Sequence, residues 1–176
     1  MLHKTANRSS ILALALAGLI VLGGCGFTPM YGGGKAARHE VQSKLSDIRI
    51  ENIPNREGQY LRNLLIDRFF AENRQQNASY SLTFTPIQEN KYELDVTKNA
   101  NATRAELRQT TTFNLIDTKT GKSVLSRTLL ASTSYNVLSS QFTTRVSEDD
   151  ARLNALNDLA RQAEQQIVLY FERSNK

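Results

Sequence analysis

The stretch "LRQTTTFNLIDTKTGKSVLSRTLLASTSY", residues 107–135, decides the fold. Its first limb sets Leu107, Thr111, Phe113 and Leu115 against a polar partner face of Arg108, Thr110, Thr112 and Asn114. Alternation of this kind in a Thr-rich and aromatic segment fits a half-buried antiparallel strand, whose successive side chains point to opposite faces. The segment Ile116 to Val124 interrupts the pattern, and Gly121 suits the positive φ of a tight turn. Leu125 to Tyr135 then returns as the paired strand. A limb of about ten residues spans over 30 Å, long enough to run past any helical cover.

Working outward, Tyr80, Leu82 and Phe84 alternate with polar residues, as do Tyr92, Leu94 and Val96, and both runs read as further half-buried strands. Asp47 to Ile53, "DIRIENI", places Ile48 and Ile50 on one face of a strand. Pro54 and Asn55 end it, with Asn55 a candidate N-cap. From Gln59 to Gln76 the apolar residues Leu61, Leu64, Leu65 and Phe69 fall at helical spacing, and Arg62, Asn63, Asp67 and Arg68 occupy the other side. Ser147-Glu-Asp-Asp150 has the form of a capping box, its carboxylates suiting the positive end of a helix dipole. Leu156, Leu159, Ala160, Ala163, Ile167, Tyr170 and Phe171 carry that second helix to about Glu172. The order strand, helix, strands, helix predicts an α+β two-layer sandwich: an antiparallel or mixed sheet with two amphipathic helices on one face.

The 176 residues fit one domain and contain one cysteine and two histidines. An internal disulfide is excluded, and His3 and His39 are too few for a His/Cys metal site. The net charge is +5, and removing Lys4 and Arg8 from the 22 basic residues leaves 20 against 17 acids, or +3. That bias is too mild for a nucleic-acid binder.

Residues 1–10 carry Lys4 and Arg8 without an acid, and residues 11–22 form an apolar run. The run is too short to span a bilayer but suits a removable signal peptide over residues 1–24. Leu22-Gly-Gly-Cys25 resembles a bacterial lipobox. The alternatives are an ordinary signal peptide with an incidental cysteine or an N-terminal membrane helix. The lipobox reading implies a thioether-linked diacylglycerol and an N-acyl chain on Cys25, and several chains together give stable anchoring. Gly26, rather than Asp, follows it, which favours the outer membrane. Residues 25–46 then read as a Gly-rich lipidated tether, 47–172 as the domain and 173–176 as a tail.

Glu148, Asp149 and Asp150 point in different directions on a helix, so capping explains them better than metal binding. Arg104, Arg108, Lys119, Lys122 and Arg127 lie on or near the long hairpin, either as solvated charges or as contacts to an anionic head group. No Gly-rich phosphate loop or GxSxG motif is present. No histidine stands ready to activate a serine, and the expectation is a binding or assembly role with no resident cofactor or metal.

"GCGFTPMYG" at Gly24 to Gly32, "ATR" at Ala102 to Arg104, "FNLIDTKTGK" at Phe113 to Lys122, "SYNV" at Ser134 to Val137 and "SEDDAR" at Ser147 to Arg152 together resemble the LptE family of lipopolysaccharide-assembly lipoproteins. The resemblance covers roughly residues 25–172. It implies a non-enzymatic lipoprotein, held by Cys25 at the inner leaflet on the periplasmic side of the outer membrane. It also implies a place inside the lumen of an LptD-like β-barrel and lipopolysaccharide contacts through basic residues, which map loosely to Arg104, Lys119 and Lys122. Barrel lumens are polar, and the Thr-rich strands suit one, although an ordinary solvent face reads the same way. The alternatives are an accessory subunit of another envelope transport or secretion complex, and a periplasmic hydrolase with convergent carboxylates.

Overall fold

The computed structural model describes residues 42–70, 78–96 and 102–174. Cys25, the leader, His39 and most of the Gly-rich segment lie outside them. The elements are β1 (Ile48–Ile50), α1 (Asn55–Phe69), β2 (Tyr80–Phe84), β3 (Gln88–Val96), β4 (Ala102–Asp117), β5 (Ser123–Asn136) and α2 (Gln141–Ser174). Residues 42–46 add a short helical segment before β1.

The long hairpin is the frame. β4 and β5 pair antiparallel from Arg104↔Asn136 to Ile116↔Ser123. β2 pairs with β4 over 113–117, and β3 pairs with it over 102–110. Because β5 fills one edge of β4 along this length, β2 and β3 follow each other on the opposite edge. Thr85 splices them: its N–H donates to Thr112 O at 2.9 Å, and its own carbonyl accepts from Thr111 Oγ1 at 2.8 Å. β1 joins β2 in parallel, so the five-stranded sheet is mixed.

The predicted alternation holds in β4, where Ala105, Leu107, Gln109, Thr111, Phe113 and Leu115 are all buried. Leu82, Phe84, Leu129 and Ala131 join them on the face that the helices cover. The even-numbered side chains of β4 from Arg104 to Asn114 and of β5 from Ser126 to Asn136 form the other, open face. α2 lies on β5 and β4, and α1 packs beside α2. The α+β sandwich with both long helices on one face is therefore the observed fold.

Several boundaries differ from the sequence reading. Residues 42–46, assigned to the tether, belong to the domain: Leu45 is in the core and Gln42 Nε2 donates to Phe69 O at 2.7 Å. α1 begins at Asn55 rather than near Gln59, and Pro54, not Asn55, occupies the cap position, without a side-chain cap bond. Asn55 instead takes a left-handed φ of 69°. α2 begins at Gln141, so Ser147 to Asp150 sit inside the helix and cap nothing. Its far end takes in Arg173 and Ser174 from the expected tail. On β3, Tyr92 and Leu94 are exposed rather than half-buried.

Two glycines are held by geometry. Gly121 takes φ 68° in the hairpin turn, where Asp117 Oδ1 accepts from the N–H groups of Lys119 and Thr120, each at 2.9 Å. Those bonds, that of Thr120 foremost, hold the Asp117 carboxyl below its usual range. At Gly58 a Cβ would stand 2.7 Å from Ile53 Cγ2 and 2.9 Å from its carbonyl, so the chain entering α1 passes too close for any side chain.

Candidate functional site

The hairpin sorts the predicted basic residues into two ends. Arg104 is exposed near the start of β4, opposite Asn136. Lys119 and Lys122 are exposed in the turn, with a strand of about 40 Å between at roughly 3.4 Å per residue. No single basic edge unites the three.

At the turn end, Lys119 lines a shallow cleft of about 330 Å³ together with Lys44, Asp47, Ser79, Tyr80, Asp117, Phe171 and Ser174. Tyr80 and Phe171 pack edge to face at 5.2 Å, and Lys44 Nζ stands 5.8 Å from the Phe171 ring centre. Two lysines meet two aspartates here, and the last carbonyls of α2 add partial negative charge. The cleft thus has no net pull on an anion.

The far end differs. Val137 N–H donates to Thr103 O at 3.0 Å, and Thr144 Oγ1 accepts from Leu138 N–H at 2.9 Å, which ties the start of α2 to the Arg104 corner. Four large apolar side chains stand exposed there: Leu138 at 47%, Phe142 at 79%, Val146 at 46% and Leu153 at 38%. Phe142 and Val146 are four residues apart and Leu153 seven further, which aligns them on one helix face. The same stripe continues through Leu156, Ala160, Ala163 and Ile167, all buried.

Helix length explains why cover stops. α1 has 15 residues and α2 has 34, or about 22 Å against 51 Å at 1.5 Å per residue. Arg68 at the end of α1 pairs with Glu164 at 3.1 Å, so α1 lies against the C-terminal half of α2. Arg145 is exposed beside the uncovered stripe. Among the described residues, neither Arg104 nor Arg145 forms an ion pair.

Between the two ends lies a polar layer. Gln109, buried at an otherwise apolar position, donates from Nε2 to Glu89 at 3.0 Å. Arg152 holds both Glu89 oxygens at 2.9 Å and reaches Glu148 at 2.6 Å and Asp149. Lys91 also pairs with Glu148. Burial pushes the Glu89 carboxyl up, but its bonds from Arg152 and Gln109 win and leave it below the usual range. Glu148 follows the same course, with Lys91 and Arg152 outweighing burial. Glu148 and Asp149 of "SEDDAR" thus serve a cross-layer clamp. Neither this clamp nor the Phe142 stripe was anticipated; helical spacing at Phe142, Val146 and Leu153 was the available signal.

The fold and its amphiphilic far end define a class: a two-layer α+β domain with cations and uncovered apolar side chains at one tip. The chain belongs to the LptE family, whose model, described as lipopolysaccharide-assembly, matches residues 45–171. None of the curated proteins compared matches it. A lipoprotein from Caulobacter crescentus is similar in fold, with 24% identity, a TM-score of 0.59, and coverage of 76% of this chain and 96% of that one. The rare lipoprotein B from Shewanella oneidensis shares 11% identity with a TM-score of 0.58, over 73% of this chain and 97% of its own. A minor lipoprotein from Acinetobacter baumannii gives 23% identity and a TM-score of 0.51, over 69% and 88%.

Proposed function

We propose that this chain is a lipid-anchored, non-enzymatic subunit of an outer-membrane lipopolysaccharide translocon. In this reading it sits in the lumen of an LptD-like β-barrel and is held to the inner leaflet, on the periplasmic side, by diacylglycerol and N-acyl chains on Cys25. Family membership supports the role in lipopolysaccharide assembly. The observation that carries the binding half is the far end, where exposed Arg104 and Arg145 accompany Leu138, Phe142 and Val146. Lipopolysaccharide combines anionic phosphate with acyl chains, and charge-assisted bonds from guanidinium together with apolar contact match both. Lys119 and Lys122 are assigned a smaller part, because among the described residues the turn end offers no uncovered apolar surface comparable to that stripe.

The partner is tested by isolating the full-length lipidated protein in mild detergent and identifying what remains bound after stringent washing. A near-stoichiometric outer-membrane β-barrel is expected, with an N-terminal peptide that begins at Cys25 and carries acyl mass. Recovery of a different transport or secretion complex would move the chain to the accessory-subunit reading.

A further inference from the structure

We infer that Leu138 to Asp150 forms a strap that opens from the sheet as one unit while the rest of α2 stays packed, and that Glu148 is its fastening. The opening stands on packing and hydrogen bonding; its effect on ligand binding rests on the lipopolysaccharide reading above.

The strap is bounded at both ends. On one side Val137 makes the last backbone bond to β4, its N–H donating to Thr103 O at 3.0 Å. On the other, Ala151 is the first buried residue of α2. Between them no residue is buried and most are exposed. Gln141 to Asp150 span about 15 Å of helix at 1.5 Å per residue. Helices in proteins owe most of their stability to packing, and a bare one of this length is marginal in water. Thr143, Thr144 and Val146 are β-branched and weaken it further.

What holds the strap to the sheet passes through one carboxylate. Lys91 Nζ on β3 donates to Glu148 at 2.5 Å, and the Tyr135 hydroxyl on β5 donates to it at 3.5 Å. Within α2, Arg152 reaches Glu148 at 2.6 Å and is itself fixed to Glu89 of β3. Asp149 meets Arg152 on the same helix, and Thr144 Oγ1 bonds to Leu138 and Ser140 inside the strap. Among the described residues, no other side chain of the strap bonds to the sheet. The sheet offers little grip in return: opposite Tyr135, β4 presents only the methyl of Ala105 to the helical side. At the border, Oε1 of Gln109 is buried without a donor among the described residues, a cost of the closed state that water entering beneath a raised strap relieves.

Opening takes the far end apart. Phe142, Arg145 and Val146 ride on the strap, whereas Arg104 is fixed in β4. Only the closed strap keeps the first three at the Arg104 corner, so the closed fraction scales the apparent affinity for a ligand that needs both. Lys91 and Glu148 thereby regulate the site from outside it.

Native-state hydrogen exchange of the full-length lipidated protein in mild detergent tests this, comparing the amides of Thr144 to Asp150 with those of Leu156 to Ile167. The first group is expected to share one opening free energy, lower than that of the second and with little dependence on denaturant. Exchange of both groups in a single event would overturn the inference. Glu148→Gln removes a charge-assisted fastening and is expected to speed exchange of the first group about tenfold or more. Asp150→Asn, at an exposed residue in none of the ion pairs among the described residues, is expected to stay within about twofold of the native protein. Equal effects from the two would take the fastening away from Glu148. Both variants lose one negative charge, yet Glu148→Gln is expected to bind lipopolysaccharide several-fold more weakly than Asp150→Asn. Equal binding by the two, with exchange as expected, would overturn the coupling to the site and leave the strap. No binding even by the native protein would remove the lipopolysaccharide reading instead.

Discussion

The two halves of α2 share one helical stripe and meet opposite fates. From Leu156 to Ile167 the stripe is buried beneath α1, whereas from Phe142 to Leu153 it faces solvent. The difference lies in how far α1 reaches rather than in the apolar spacing along α2. The covered half belongs to the core and the uncovered half keeps its apolar side chains in solvent, with the Gln109–Glu89–Arg152 layer as the border between them.

The largest effect belongs to the covered half. Phe69 is fully buried at the end of α1, so Phe69→Ala is expected to cost about 3–5 kcal/mol of unfolding free energy in a denaturant titration. A cost below about 1 kcal/mol would mean that α1 contributes little and that the two halves are not distinct.

The border comes next. Arg152→Ala leaves Glu89 partly buried without its bidentate partner; with both side chains about a fifth exposed, a loss of about 2 kcal/mol is expected, below the 3–5 of a fully buried pair. The clamp also sets a pH dependence. Glu89 and Glu148 have depressed folded-state pKa values, so their contribution is fully present above the ordinary carboxylate value of about 4.3 and is lost as pH falls through the folded values. Acid titration should therefore destabilise the native chain more steeply than the Arg152→Ala variant. Parallel acid limbs would remove the clamp from the account.

Gly58→Ala sharpens the comparison further. Alanine in a helix interior normally gains about 1 kcal/mol over glycine. Here its Cβ would meet the Ile53 backbone, so a net loss of about 1–2 kcal/mol is expected in thermal unfolding. The smallest stability effect belongs to the uncovered half: Phe142→Ala, at a side chain 79% exposed, should change unfolding free energy by less than about 0.5 kcal/mol while weakening lipopolysaccharide binding.

Much of the fold was legible because one signal was strong. Alternation from Leu107 to Leu115 and the Asp117–Gly121 turn define the hairpin, and a face buried every second residue leaves only one side for the helices. The start of α2 was not legible. "QFTTR" contains two β-branched threonines of low helix propensity, and the capping-like "SEDD" six residues later offered a more persuasive beginning. Glu148 proved to be a partner of Lys91 and, with Asp149, of Arg152, inside a layer shared with Glu89 that local pattern does not encode. Burial of Tyr92 and Leu94 failed for a related reason: alternation reports which side chains share a face, not whether anything covers it. For the candidate site, Arg104 was visible as a charge, but its apolar company was not, because the exposure of Phe142 follows from the shortness of α1 on a different element.

If lipopolysaccharide is met at the far end, Arg104 and Arg145 carry its binding. The most direct test is equilibrium binding of lipopolysaccharide to the full-length protein, comparing Arg104→Glu/Arg145→Glu with Lys119→Glu/Lys122→Glu, after circular dichroism shows both folded. Loss of charge-assisted bonds worth about 1.5–3 kcal/mol each predicts at least a tenfold weaker Kd for the first pair. The second pair is expected to bind within about twofold of the native protein, since Asp47 and Asp117 line the cleft beside Lys119 and offset its charge. A tenfold loss from the lysine pair, with the arginine pair unaffected, would contradict the account and move the site to the turn.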